Sequence, residues 1–439
     1  MKEWRMLTIA TVVSLSIVAS EILADVEKIS PSQPRVLDAG YFGIHFHRLQ
    51  LIPGEQAIPT DWPPFQFGYL RLWDSRTRWA DVQPAPAKWN FSRLDHYVNE
   101  ANARGVKVLY TLGSTPLWAT ARPDETCSYG KGCAAEPRDM EDWRAYVRAV
   151  SRRYQGRICC YELWNEPKFP PDIMRDRDAK AFYTGSVANM VEMARIARQV
   201  LNEEDPSAIL LSPGFVNGTD RLDMFLAAGG RDYVRAVAYH FYAGSNEERM
   251  LKEIKAVRRV MQKNGVAGMP LWNTETGLEV YELGQPLPQG VARITREEGA
   301  AMMVRQIVLG AFAGLDKYFY YAWDNDKSGM VDRTGRSHPS RDAMLLAQRW
   351  LLGAKPDRCD IEDGRPTVCW GEKNAKSFAI VWNPKNSGSV DVPLSEGLRI
   401  TSRQAAVPSW VTATQNAPGA ERMLATPNPA FYTFERIAQ

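Results

Sequence analysis

The chain has 439 residues, 45% of them apolar, and its 54 Lys and Arg nearly balance 51 Asp and Glu for a formal charge of +3. A charge so close to neutral, with no long basic run, excludes a nucleic-acid partner held by clustered cations. The apolar content supplies a large core, and the length suits two or three domains, or an α/β barrel of roughly 250 residues with an addition.

The first residues, MKEWRMLTIATVVSLSIVASEILAD, set Lys2 and Arg5 before an apolar run from Met6 to about Ala19, then small residues up to Ala24. This is the three-part pattern of an export signal, and the run falls short of the roughly 20 residues that span a bilayer. Residues 1–24 are read as a signal peptide or an N-terminal anchor. The protein is therefore expected outside the cytoplasm, periplasmic or secreted, with an inner-membrane tether as the alternative.

Strand-like runs follow at residues 41–47, 69–74, 107–113, 158–166, 208–213, 236–242, 270–276 and 317–323. Several are almost wholly apolar, as strands covered on both faces are. Amphipathic segments with helical spacing separate most of them, with Asp178 and Thr295 as N-caps and Gly105, Gly156, Gly265 and Gly314 as stops. Strand and helix alternate through eight units, which predicts an α/β fold, a (β/α)8 TIM barrel over residues 25–353. Residues 48–66 are Pro-rich without helical period, and read as a long loop over the barrel mouth. From residue 354 to 439 short alternating runs are broken by Asn, Gly, Ser and Pro, the pattern of a small antiparallel, sandwich-like β domain. Cys127 with Cys133 and Cys359 with Cys369 bracket short loops and are candidate disulfides. Cys159 and Cys160 are neighbours in a strand, where alternation would point them apart, and are read as buried thiols.

In a TIM barrel the chemistry sits where strands end. Strand four ends in Trp164, Asn165 and Glu166, and strand seven in Asn273, Thr274 and Glu275, so two carboxylates face each other across the mouth. Such a pair cleaves glycosidic bonds: one carboxyl protonates the leaving oxygen, and the other attacks carbon or activates water. No metal or cofactor is needed. Glu162, four residues before Glu166, has the same parity but lies deeper and is expected to be structural.

At these residues the chain resembles the retaining glycoside hydrolases with an acid/base on strand four and a nucleophile on strand seven. WNEP at 164–167 is similar to their acid/base motif and NTETG at 273–277 to their nucleophile strand. Family 39 and the bacterial exopolysaccharide hydrolases of biofilm-matrix operons are the nearest in pattern. The resemblance implies Glu166 as acid/base and Glu275 as nucleophile, with Asn165 on the sugar 2-hydroxyl. It further implies Tyr242 on the nucleophile, His240 near substrate or acid/base, and Arg71 as the cation beside Glu275. Trp323 would be the platform under the cleaved sugar, and His47 on strand one a substrate contact. Arg71 has a plainer alternative, an ion pair with Glu162 inside the barrel. The expected partner is a polysaccharide or oligosaccharide, cut in endo fashion by a monomer. Trp73, Trp79, Trp118, Trp164, Trp272 and Trp323 lie at or near strand ends, and part of that set is expected to stack on sugar rings.

Two rival functions use the same barrel. A metal-dependent amidohydrolase would use His45 and His47 on strand one with His240 and Asp324, but strand five ends without His. A non-catalytic sugar-binding barrel would keep the aromatics with an inert carboxyl pair.

Overall fold

The computed structural model describes residues 27–51, 58–169, 182–244, 246–281, 285–287, 293–325, 327–362, 365–383, 390–394, 398–405, 413–415 and 422–436. The N-terminal signal or anchor, Asp178 and part of the loop at 48–66 lie outside them. Among the described residues no helix is long and apolar enough to cross a membrane.

Eight parallel strands form the barrel: β1 Phe42–His45, β2 Tyr69–Leu72, β3 Lys107–Thr111, β4 Cys160–Glu162, β5 Ile209–Leu211, β6 Val237–His240, β7 Leu271–Thr276 and β8 Lys317–Tyr320. They are hydrogen-bonded in sequence order, with β8 returning to β1. The ring closes between β5 and β6 through a bridge from Leu211 to Ala236 and through Phe215–Val216, which pairs with β6. Tyr69, Leu109, Cys160, Leu211, Ala238, Trp272 and Phe319, drawn from β2 through β8, pack as one cluster inside the ring. That packing makes the interior a core and leaves the strand ends for chemistry.

Among the described residues, besides the single turn Trp79–Val82, seven longer helices accompany the strands: α1 Ser92–Ala103, α2 Met140–Arg153, α3 Val187–Glu204, α4 Asp220–Ala227, α5 Glu247–Lys263, α6 Arg296–Phe312 and α7 Pro339–Leu351. The spacing that predicts them also packs them: α1 buries Leu94, Tyr97, Val98 and Ala101, one stripe facing the sheet. Thr295 caps α6 in a full capping box with Glu298. The start of α3 differs from expectation, because its N-cap is Ser186, whose side chain accepts from the Asn189 amide. Helix α4 carries no long apolar period and is absent from the sequence reading.

The C-terminal strands are β9 Ala354–Ile361, β10 Thr367–Lys373, β11 Lys376–Trp382, β12 Val390–Pro393, β13 Leu398–Ala405, β14 Ala413–Gln415, β15 Arg422–Ala425 and β16 Ala430–Arg436. Six of them join a seven-stranded antiparallel sheet whose first member is Glu27–Ile29, paired to β9. The start of the described chain thus belongs to the C-terminal sheet and not to the barrel.

Disulfides join Cys127 to Cys133 and Cys359 to Cys369, as the spacing predicts. Cys159 and Cys160 are also joined, which corrects their reading as thiols. The β4 ladder begins at Cys160, so the alternation that would separate the two side chains does not extend to Cys159.

Candidate active site

Past Glu162 the β4 backbone leaves its ladder, and a single bridge from Asn165 to Gly214 holds the following turn. Glu166 adopts a left-handed φ of 42° there, with its amide bonded to the Gly214 carbonyl at 2.8 Å. A non-glycine residue in that region carries about 1–3 kcal/mol of strain, which its surroundings must hold in place. Gly214 is glycine for a packing reason: a Cβ there would collide with the His240 ring and stand 2.9 Å from Glu162 Oε1.

The structure brings the two strand-end glutamates together. One oxygen of Glu166, one of Glu275 and a nitrogen of His240 all lie within 4.8 Å of one another. Both oxygens of Glu275 are occupied: Tyr242 donates its hydroxyl to Oε1 at 2.8 Å, and Arg71 donates Nη1 to Oε2 at 2.6 Å. Arg71 also donates to Glu162 Oε2 through Nε at 2.8 Å and to Asn165 Oδ1 through Nη2 at 2.8 Å. Arg71 therefore fills both roles considered for it, cation beside Glu275 and partner of Glu162. Fixing the Asn165 oxygen also fixes its amide, so the NH2 group is the one left for a ligand.

His240 is fully buried and places Nδ1 2.8 Å from Glu166 Oε1. Its Nε2 faces Arg71 Nη2 at 3.5 Å, and arginine only donates, so Nε2 carries the lone pair and Nδ1–H donates to Glu166. Burial pushes the Glu275 carboxyl above its ordinary 4.5, and the neighbouring Glu166 and Asp74 add to this, while His240 and Arg71 pull it back. Burial, with Glu275 and Glu166 nearby, likewise holds the Tyr242 phenol well above its usual range, so it stays a donor.

Trp323 is not at the mouth, which corrects its assignment as sugar platform. It is buried, donates Nε1 to the Asp61 carbonyl at 2.8 Å and meets Phe65 edge-on, so the loop after β1 covers it. The β8 ladder ends at Tyr320, and beyond it strand parity no longer fixes which side chain faces the mouth. Tyr321 takes that place: it is partly exposed, and its ring lies 5.0 Å from those of His45 and His47. His47 packs against that ring, and its Nε2 is buried without a partner among the described residues. Trp73, Trp79, Trp164 and Trp272 are core, and Trp118 is partly buried, so the tryptophans do not supply the expected stacking surface.

Sequence reasoning passed over Asp74 as a site residue and missed Tyr129 and Tyr321. Asp74 follows β2 and accepts the Tyr129 hydroxyl on Oδ1 and the Tyr321 hydroxyl on Oδ2, each at 2.6 Å. Tyr129 comes from the hairpin at 126–131 that the Cys127–Cys133 bond closes. A loop cysteine pair flanking an aromatic was the one signal available for it.

Among the described residues, His45, His47, His240 and Asp324 of the amidohydrolase reading do not gather as one ligand group. His45 donates Nε2 to the Thr274 carbonyl at 3.0 Å, and Asp324 accepts the backbone amides of His47 and Arg48 at 2.8 and 2.7 Å. The three-residue group of Glu166, His240 and Glu275 has the donor types for a cation, yet its atoms are tied to one another, to Tyr242 and to Arg71.

Fold and site together define a (β/α)8 barrel carrying a strand-four and a strand-seven glutamate face to face at its mouth. No protein-family model matches the chain. It is similar to a β-xylosidase of Geobacillus stearothermophilus, 23% identical over 214 residues, spanning 43% of this chain and 40% of that protein. Among solved structures it is similar to a family 39 glycoside hydrolase from Bacteroides cellulosilyticus WH2, at 16% identity and a TM-score of 0.61, covering 91% of this chain and 82% of that one. A GH30 endoxylanase from Clostridium papyrosolvens C71 matches with 14% identity and a TM-score of 0.60, over 93% of this chain and 99% of its own. A monomeric β-xylosidase from Caulobacter crescentus CB15 matches with 15% identity and a TM-score of 0.57, over 85% and 90%. The fold is the one these glycoside hydrolases share.

Proposed function

We propose that the chain is a retaining glycoside hydrolase working by double displacement, with Glu275 as nucleophile and Glu166 as acid/base. The observation that carries this reading is the approach of one carboxylate oxygen of each to within 4.8 Å of the other. Retaining pairs stand about 5–5.5 Å apart, whereas inverting pairs leave about 6.5–9.5 Å for a water. In the first step Glu275 attacks the anomeric carbon while Glu166 gives its proton to the leaving oxygen, forming a glycosyl ester. In the second, Glu166 takes a proton from water, which attacks the same carbon and frees Glu275. His240 holds one oxygen of Glu166 and leaves the other for the leaving group. Asn165 offers its NH2 to the sugar 2-hydroxyl.

The substrate we assign is an exopolysaccharide cut internally by a monomeric, exported enzyme, tethered or released. The sequence resemblance and the signal-like N-terminus support this part. Glu275→Gln should lower kcat by at least about a thousandfold while leaving oligosaccharide binding in place. NMR of the wild-type reaction should show the first product with the configuration of the substrate; inversion, or unchanged turnover by Glu275→Gln, would refute the assignment. Internal cutting predicts a fall in polymer viscosity ahead of the release of small sugars.

A further inference from the structure

The geometry points to Asp74 as a specificity-determining carboxylate that holds a hydroxyl of the sugar beside the cleaved bond and selects an uncharged sugar there. This inference rests on the glycosidase reading. Asp74 is partly exposed at the end of β2, the strand that carries Arg71, and no ion pair neutralises it among the described residues. Two phenols fix it instead, one from the disulfide-closed hairpin and one from the end of β8. Each carboxylate oxygen accepts two hydrogen bonds, so each keeps a position open after its phenol is counted. Both phenols already point their hydrogens at Asp74, and what it lacks is a further donor. Sugar hydroxyls are such donors.

The position borders the reacting site. Tyr321 joins Asp74 to the ring pair of His45 and His47, and its backbone carbonyl lies against Gly277, two residues past Glu275. Two cations near it are committed elsewhere. Arg71 serves Glu162, Glu275 and Asn165, and Arg78 binds Asp81 while its guanidinium lies 3.9 Å from the Tyr129 ring centre. Asp74, unneutralised by any ion pair among the described residues, repels a sugar that carries its own carboxylate there. A neutral, hydroxyl-rich glycone meets acceptors without that repulsion.

The test compares wild type, Asp74→Asn and Tyr129→Phe on 2,4-dinitrophenyl glycosides: a neutral hexoside, its 3-deoxy and 4-deoxy analogues, and the matching uronide. Wild type should prefer the neutral sugar over the uronide and lose about tenfold to a hundredfold in kcat/KM on one deoxy analogue. Asp74→Asn should show that loss already on the parent sugar and no further loss on that analogue, and its preference against the uronide should narrow. Tyr129→Phe should give a smaller loss of the same pattern. Equal losses on parent and both deoxy sugars, or unchanged discrimination against the uronide, would overturn the role of Asp74. Labelling by a 2-deoxy-2-fluoro glycoside separates the two readings: wild type that acquires no label on Glu275 removes the glycosidase reading and this one with it.

Discussion

Glu275 shows how this site balances opposing demands on one carboxyl. In its proposed role as nucleophile it must be ionised, and burial works against that, raising its proton affinity above the ordinary 4.5. Arg71 opposes the shift with its charge, and the Tyr242 hydroxyl donates to the ionised form. Because the folded chain binds this proton more tightly than the unfolded chain, Glu275 contributes stability at low pH that is lost as pH rises from 4.5 through the folded value. Activity runs the other way. The acid limb of kcat/KM should have its midpoint above 4.5, and Tyr242→Phe, which removes a bond to the charged form, should move it higher and cost roughly tenfold or more in rate. A pH profile of both proteins decides this; a Tyr242→Phe limb at the wild-type position would reduce Tyr242 to packing. Glu275 was legible from sequence because it falls inside the β7 run, and Glu166, which lies past the β4 ladder, was legible from the Trp-Asn-Glu-Pro stretch that holds it. Tyr129 and Tyr321 were not, since one reaches the site from a loop hairpin and the other lies past the last paired residue of β8, where no period applies.

Among the elements, the β4 turn and its neighbour at Gly214 decide whether Glu166, the proposed acid/base, is in place. Gly214 donates its amide to the Trp164 carbonyl and accepts the Glu166 amide, both at 2.8 Å, so it clamps the turn on both sides of Asn165. Its missing side chain is the space occupied by His240 and Glu162. Gly214→Ala must push the His240 ring off Glu166 or open the turn. Overpacking of this kind costs about 1–3 kcal/mol of stability, and a displacement near 1 Å at a reacting group costs roughly a hundredfold in rate. Thermal denaturation and kcat/KM, measured together, should show both losses; a variant with wild-type rates would mean that His240 is not needed where it stands. The sequence revealed the barrel from periodicity alone, but a glycine required for a close approach between two strands looks the same as one in any turn.

At the scale of the whole molecule, α6 accounts for the C-terminal sheet. The helix is buried along nearly its full length, from Gly299 to Phe312, which a helix on the outside of a bare barrel could not be. The sheet covers it: β9 leaves directly from α7, Arg305 of α6 donates to the Pro427 carbonyl, and Trp350 of α7 stacks on Phe431 of β16 at 5.8 Å while bonding Gln404. Phe378, Ile380, Trp382 and Phe431 belong to the same hydrophobic cluster as the barrel helices. The N-terminal strand Glu27–Ile29 ties the other end of the chain to this sheet. Barrel and sheet should therefore melt as one unit, because neither can leave without exposing the shared core. Calorimetry should give a single transition in which activity and sheet structure disappear together. Trp350→Ala should lower that transition as a whole, by about 3–5 kcal/mol, and leave the active-site pH profile alone. Two resolved transitions, with a barrel still active after the sheet has unfolded, would show that the sheet is an independent appendage and that the burial of α6 has another cause.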